Sequence, residues 1–276
     1  MKSRLWLIFA LVTTTFWGLW GALIELPEKS GFPATLGYSV WALTMIVPAL
    51  VALRVINWKL DYDRRSILVF PIISLSPVVT ILLAYGFLKE RANKMGWAGI
   101  ALAMIAMPLL SYQPPGNSGA SGVLWVVLAL LVFLAWGIQA YFMKLANATM
   151  KAESIFFYMT VTGIILIPFA LWMTDFAQPI NWGFRGPYLA AMIQILNSIG
   201  ALCIVYAFRY GRAIIVSPLT NAVAPVITVV ISLIIHRAVP SRFVLTGMVL
   251  ALLATLLMSL EEEAKPAGAA TVHPVA

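Results

Sequence analysis

Nine stretches of apolar residues follow one another along this chain. Most approach the twenty or so residues that a helix needs to cross about 30 Å of hydrocarbon. They run from about Leu5 to Leu26, Ala34 to Ile56, Ile67 to Leu88, Gly96 to Ser111, Gly122 to Ala146, Ala152 to Thr174, Pro187 to Arg209, Ala213 to Ile235 and Arg242 to Leu260. No water-soluble fold could bury them: 62% of the 276 residues are apolar and 10% are charged, against about a quarter charged in an ordinary soluble domain. The runs are continuous rather than alternating at every second residue, which favours helices over barrel strands. Pro27, Gly31 and Pro33 end the first block, and the stretch from Gln113 to Gly119 separates the fourth from the fifth as the best candidate linker. The first block is too long for the core of a secretory leader and no small-x-small cleavage site follows it, so it is expected to stay as a membrane helix. Cys203 is the single cysteine, which rules out an intramolecular disulfide and a cysteine metal cluster. The net charge of +8 is spread between the apolar blocks and forms no basic domain, so it speaks for membrane topology and not for nucleic acid.

The chain also repeats itself. Leu5-Trp6 recurs as Leu124-Trp125 and Trp17-Gly18 as Trp136-Gly137, both at a separation of 119, and Pro48 matches Pro168 at 120. Ile56-Asn57-Trp58 returns as Ile180-Asn181-Trp182 at 124, whereas Pro77-Val78, Thr80 and Gly99 return as Pro225-Val226, Thr228 and Gly247 at 148. The separation jumps from 124 at Trp58 to 147 at Arg65, so the second half holds 23 residues that the first lacks. That is the length of one membrane helix. The seventh block, Pro187 to Arg209, is the helix without a partner. Charge placement points the same way, because loops on the cytoplasmic side should hold the excess of Lys and Arg. With a helix restored between Lys59 and Val69, Lys2, Arg4, Arg54, Lys59, Lys89, Arg91, Lys94, Lys144, Lys151, Arg209 and Arg212 fall on the cytoplasmic side, and only Lys29, Arg185, Arg237 and Arg242 outside. With nine helices, most of those bases would face outward. The sequence therefore predicts an all-α, polytopic membrane helix bundle of two inverted repeats, with nine helices readable and ten expected, the third helix of the first repeat being absent through a deletion or a missing segment. A natural nine-helix chain is the alternative. Inverted repeats of this kind mark transporters whose halves rock around a site near the midplane.

Phe16-Trp17-Gly18 and Ala135-Trp136-Gly137 open the two units, and Ser76-Pro77-Val78-Val79-Thr80 with Gly99 is echoed by Ala224-Pro225-Val226-Ile227-Thr228 with Gly247. In these features the chain resembles the EamA-like branch of the drug/metabolite transporter superfamily. It departs from the family at His236-Arg237-Ala238, where a Glu-Arg pair is common. The resemblance covers about residues 4 to 260. Repeat and resemblance together give residues 1–112 as the first repeat with four helices and 122–260 as the second with five; the Gly/Ser-rich 113–121 reads as linker, and the acidic, then Ala/Pro-rich 261–276 as a disordered tail. The resemblance also implies a secondary transporter, often an exporter of amino acids or related compounds, whose central cavity is lined by the first, third, fourth, sixth, eighth and ninth helices of ten.

Polar side chains held inside a bilayer are costly unless partnered, so those within the blocks are the first candidates for a substrate site. Gln194, Asn197 and Ser198 fall at i, i+3 and i+4 on one helix face, as cavity lining or as glue between helices. Ser217, Asn221 and Pro225 belong to a block with two prolines, Pro218 and Pro225, each of which removes an amide donor and should kink the helix and free a carbonyl. Pro71 and Pro77 do the same in the third block. Trp17, Trp20 and Trp136 lie well inside their blocks, away from the interfaces where Trp anchors; each needs a partner for its indole donor and can offer a flat wall to a substrate. Gln139 is a weaker candidate beside Trp136. Glu25 and Lys144 lie near helix ends and can reach interfacial water. No buried carboxylate stands out for proton coupling, so the coupling ion is unreadable, and no cofactor or metal is expected.

The leading reading is a transporter of a small-molecule substrate by alternating access, in the lipid bilayer of a bacterial inner membrane, with its N-terminus cytoplasmic. A homodimer stays open. A channel or a structural membrane protein is the alternative. An intramembrane enzyme is disfavoured, since Asp occurs only at Asp61, Asp63 and Asp175 and His only at His236 and His273, which assemble no triad or metal site. No Walker phosphate loop is present.

Overall fold

The computed structural model describes residues 4–61, 92–110, 136, 138–237 and 239–260. The third apolar block with Pro71 and Pro77, the start of the fifth block, the 113–121 linker and the 261–276 tail lie outside the described residues. Among those described, every regular element is a helix and no strand occurs. We number them α1 (Leu5–Leu23), α2 (Glu25–Lys29), α3 (Ala34–Thr44), α4 (Ile46–Val55), α5 (Lys94–Leu110), α6 (Ala152–Ile165), α7 (Ile167–Trp172), α8 (Leu189–Tyr210), α9 (Ala213–His236) and α10 (Arg242–Ser259). Residues 138–149 are helical too. Six described stretches are long and apolar enough to cross a membrane: Leu5–Lys29, Ala34–Val55, Ala152–Trp172, Phe184–Tyr210, Ala213–Ile235 and Arg242–Ser259. The chain is thus a multi-pass membrane protein.

Three of these spans are divided between two α-helices, and a proline accounts for each break. Pro27 has no N–H to give to the Leu23 carbonyl, and α1 passes into α2 at Ile24. Pro48 has no N–H to give to the Thr44 carbonyl, and α3 passes into α4 at Met45. Pro168 has none for Ile164, and α6 passes into α7 at Leu166. The chain direction survives, since the Met45 amide still donates to Trp41 at 3.1 Å and the Leu166 amide to Thr162 at 3.2 Å. By contrast, α9 runs through Pro218 and Pro225 as one helix.

Lipid removes the hydrophobic drive between helices, so close approach and hydrogen bonds decide the packing. At the centre, α1 lies between α8 and α9. Against α8 it runs antiparallel: Phe9 stacks on Tyr206 at 4.8 Å, the Thr13 hydroxyl donates to the Gly200 carbonyl at 3.2 Å, and the Trp20 indole N–H donates to Gln194 Oε1 at 2.9 Å. Against α9 it runs parallel, and Gly18 and Gly21 bring the backbones together, because a Cβ at either would collide with Ile227 or Thr228. The Thr228 hydroxyl uses that proximity to donate to the Gly18 carbonyl at 3.0 Å. On one flank, α5 and α10 pack antiparallel, with Gly99 against Ala254 and Met258, and Gly247 against Ala106 and Leu109.

These contacts fix the ends of the bundle. One end gathers the starts of α1, α5, α6 and α9 and the ends of α4, α8 and α10. Among the described residues it carries Arg4, Arg54, Lys59, Lys94, Lys144, Lys151, Arg209 and Arg212, whereas the opposite end carries Lys29, Arg185, Arg237 and Arg242. The basic end is also the densely packed one. On α9, every residue from Ala213 to Thr220 is buried, and exposure rises towards the other end.

Candidate functional site

A cavity of about 730 Å³ lies among α1, α3, α8, α9 and residues 136–143. Helical periodicity accounts for its walls. On α8 the lining residues are Ala190, Gln194, Asn197, Ala201, Ile204 and Phe208, spaced alternately four and three apart on one face. From Ala190 to Phe208 that face extends about 27 Å at 1.5 Å per residue, close to the thickness of the hydrocarbon. On α9 the same rule selects Ser217, Thr220, Asn221, Ala224, Pro225 and Thr228, and on α1 it selects Trp17, Trp20, Gly21 and Ile24. Phe208, Ile204 and Met143 line the cavity towards the basic end and are buried. Towards the opposite end it reaches Glu28, Phe32 and a half-exposed Trp136.

Most residues singled out in the sequence meet here. Trp17, Trp20, Trp136, Gln139, Gln194, Asn197, Ser217, Asn221 and Pro225 all line the cavity. Pro77 lies outside the described residues. Ser198 is not among the lining: it is fully buried, its hydroxyl 2.9 Å from that of Thr44 and donating to the Gln194 carbonyl at 3.1 Å. One turn of α8 therefore splits its polar residues, with Asn197 on the cavity and Ser198 between helices.

The polar lining is locally ordered. The Trp17 indole donates to the Asn197 carbonyl at 3.3 Å, and its ring covers Gly200, where a Cβ would strike it. Gln194 accepts from Trp20 and donates to the Gly37 carbonyl at 3.3 Å, so one amide ties α8 to α1 and α3. Asn221 donates to the Ser217 carbonyl at 2.9 Å. Its own carbonyl is one that Pro225 leaves without a helical donor.

Three groups were not evident beforehand. The α3 wall of Ala34, Gly37, Tyr38 and Trp41 is absent from the set of lining helices that the resemblance implies. Its spacing of three, four and seven, with two aromatics deep in a block, was the available signal. Glu28 lines the cavity at the end opposite the basic one. Glu153, buried to 9% exposure in the first turn of α6, accepts from the Tyr206 hydroxyl at 2.6 Å. No carboxylate stood out in the sequence as buried; this one lies near the basic end and off the cavity. Lys144, read as free to reach the interface, instead donates to the carbonyls of Phe208 and Gly211 at 3.0 and 2.6 Å, across the C-terminus of α8.

A multi-pass helix bundle around a largely apolar cavity that carries a few polar groups has the build of a membrane transporter. The chain matches the EamA-like transporter family over residues 65–112 and 123–260, and it belongs to that family, within the drug/metabolite transporter superfamily. A curated relative, Protein LicB of Haemophilus influenzae (strain ATCC 51907 / DSM 11121 / KW20 / Rd), is 27% identical over 125 residues, which is 40% of this chain and 38% of that protein. The match thus spans less than two fifths of the relative's length. A solved crystal structure of a protein superposes with a TM-score of 0.63 at 14% identity, over 91% of this chain and 96% of the other, which shows a shared fold.

Proposed function

We propose that this chain is a secondary transporter that exports small metabolites, such as amino acids or related compounds, by alternating access across a bacterial inner membrane. The observation that carries the reading is the cavity: its lining follows one face of α8 through nearly the whole span, and its lining residues towards the basic end, Met143, Ile204 and Phe208, are buried. We read that end as closed, whereas a pore would be open at both. The positive-inside rule supports a cytoplasmic basic end, and with it a cytoplasmic N-terminus and a cavity that opens outward. Trp17, Trp20, Trp136, Gln139, Gln194, Asn197, Ser217, Asn221 and Pro225 are the proposed substrate-contacting residues, with Pro77 carried from the sequence. Ser198 acts as helix glue, worth about 0.6 to 2 kcal/mol.

The reading as two inverted repeats is supported by α5 and α10. The separation of 148 carries Gly99 to Gly247 and Ala106 to Ala254. Gly99 meets Ala254 and Gly247 meets Ala106, so the contact maps onto itself when the halves are exchanged. Asp61 and Lys94 both lie at the basic end, whereas the sequence between them holds a single long apolar block. A single crossing would put them at opposite ends, which favours a helix lost between Lys59 and Val69. The source gene tests this: an uninterrupted reading from Lys59 to Val69 leaves only an evolutionary deletion.

The transport test is counterflow in proteoliposomes with radiolabelled amino acids and amines. A carrier gives flux that saturates with concentration and is trans-stimulated. Flux that rises linearly without saturation supports the channel reading instead.

A further inference from the structure

The basic end of the bundle holds a carboxylate that lies off the cavity. Glu153, in the first turn of α6, is the only charged side chain buried among the described residues. Its Oε1 accepts from the Tyr206 hydroxyl of α8 at 2.6 Å. The Tyr206 ring is stacked on Phe9 of α1 at 4.8 Å, so the contact joins three helices. Two more bonds cross the same seam: Arg209 donates to the Met150 carbonyl at 3.0 Å, and the Asn147 amide to the Val205 carbonyl at 3.1 Å. The start of α6 is also tied to the segment after α4, where the Lys151 amide donates to Asp61 Oδ2 at 2.6 Å and the Asp61 amide to the Ser154 hydroxyl at 2.9 Å.

The chemistry of this seam lets it part. A buried carboxylate needs a partner, and here that partner is a neutral hydroxyl. Were the start of α6 to draw away from α8, water would take the place of Tyr206, so Glu153 is satisfied in either arrangement. Asn147 Oδ1 favours the parted one, because it is buried without a hydrogen-bond partner as the seam stands.

The internal repeat adds an independent observation. The separations of 119 and 120 that flank this position set Glu153 against Ala34 or Pro33. Both line the cavity at the opposite end. Exchanging the halves of an inverted repeat turns the bundle over. The position that faces the cavity at one end is therefore the one that Glu153 holds, bonded and buried, at the other.

Resting on the transporter reading above, with its inverted repeats, we propose that the Tyr206–Glu153 bond is a latch. It holds the basic end shut in this conformation, and it parts to bring Glu153 into the cavity wall when that end opens.

Side-resolved labelling tests the latch, with the full chain in oriented vesicles, an Asn221→Cys reporter in a Cys203→Ala background and a membrane-impermeant thiosulfonate. Tyr206→Phe keeps the ring on Phe9 and removes the hydroxyl, which leaves water as the partner for Glu153. It is expected to raise the labelling rate from the Lys151 side at least about threefold, and to leave the rate from the Glu28 side unchanged or lower. Adding Glu153→Leu removes the carboxylate that seeks water and is expected to return the Lys151-side rate to the parent value. An unchanged rate in Tyr206→Phe, an equal rise from both sides, or a double variant that labels faster than the single one overturns the latch. A parent that labels equally from both sides removes the closed end and the latch with it. A one-sided parent with an unresponsive Tyr206→Phe removes the latch alone and leaves the transporter reading in place.

Discussion

Gln194 joins three helices through one side chain, by accepting from Trp20 on α1 and donating to Gly37 on α3. Replacing it with an apolar residue of similar size leaves the indole N–H of Trp20 without an acceptor, a loss of about 1–3 kcal/mol. Gln194→Leu should therefore lower the thermal midpoint in detergent, and adding Trp20→Phe, which removes the orphaned donor, should recover much of the loss. If the double variant is no better than the single one, the hydrogen bond is not the cause. Which polar residues sit inside the blocks was legible in the sequence; how they divide was not. Asn197 and Ser198 are neighbours on one face, and only the identity of the flanking helix, Thr44 beside Ser198, decides which one meets open space. Tyr38, Trp41 and Glu153 escaped notice for a related reason. A Tyr or Trp in an apolar block reads as packing, and a Glu at a block's start reads as solvated, until a partner such as Tyr206, 53 residues away, is seen.

Helix ends and prolines carry the next level. Pro48 and Pro168 interrupt their spans, whereas Pro218 and Pro225 sit within an unbroken α9, so a proline's presence did not reveal whether a helix would divide. The unbroken α9 packs closely against α1 at Gly18 and Gly21. Pro225→Ala would return an amide donor to the Asn221 carbonyl. That variant should fold as well as the parent or better and yet lose affinity for ligand, seen as an unchanged or higher thermal midpoint with weaker binding in calorimetry. Unchanged binding would remove the carbonyl from the site. At the other end of α8, Lys144 closes the helix by donating to the carbonyls of Phe208 and Gly211. A cation there stabilises the terminus by up to about 2 kcal/mol. Lys144→Met should speed amide hydrogen exchange over residues 205–211 selectively, and a uniform change along the chain would argue against a local cap.

At the scale of the whole molecule, the membrane bundle and the family could be read from the blocks and from the Trp-Gly and Pro-Val pairs, because hydropathy and covalent geometry act locally. The role of α3 as a wall could not, since it depends on which helices flank the cavity. The burial of the lining at one end, around Met143, Ile204 and Phe208, was equally hidden. The account stands on a solvent-accessible polar space within the bilayer, reached from the end that bears Glu28 and shut at the end that bears Lys151. The most direct test places a single thiol in it, Asn221→Cys in a Cys203→Ala background, and follows its labelling by a membrane-impermeant thiosulfonate from each side of oriented vesicles. The account predicts labelling from the Glu28 side, little from the Lys151 side, and slower labelling when ligand is bound. A thiol that reacts from neither side, as in a dry packed centre, or equally from both, as in an open pore, would contradict it.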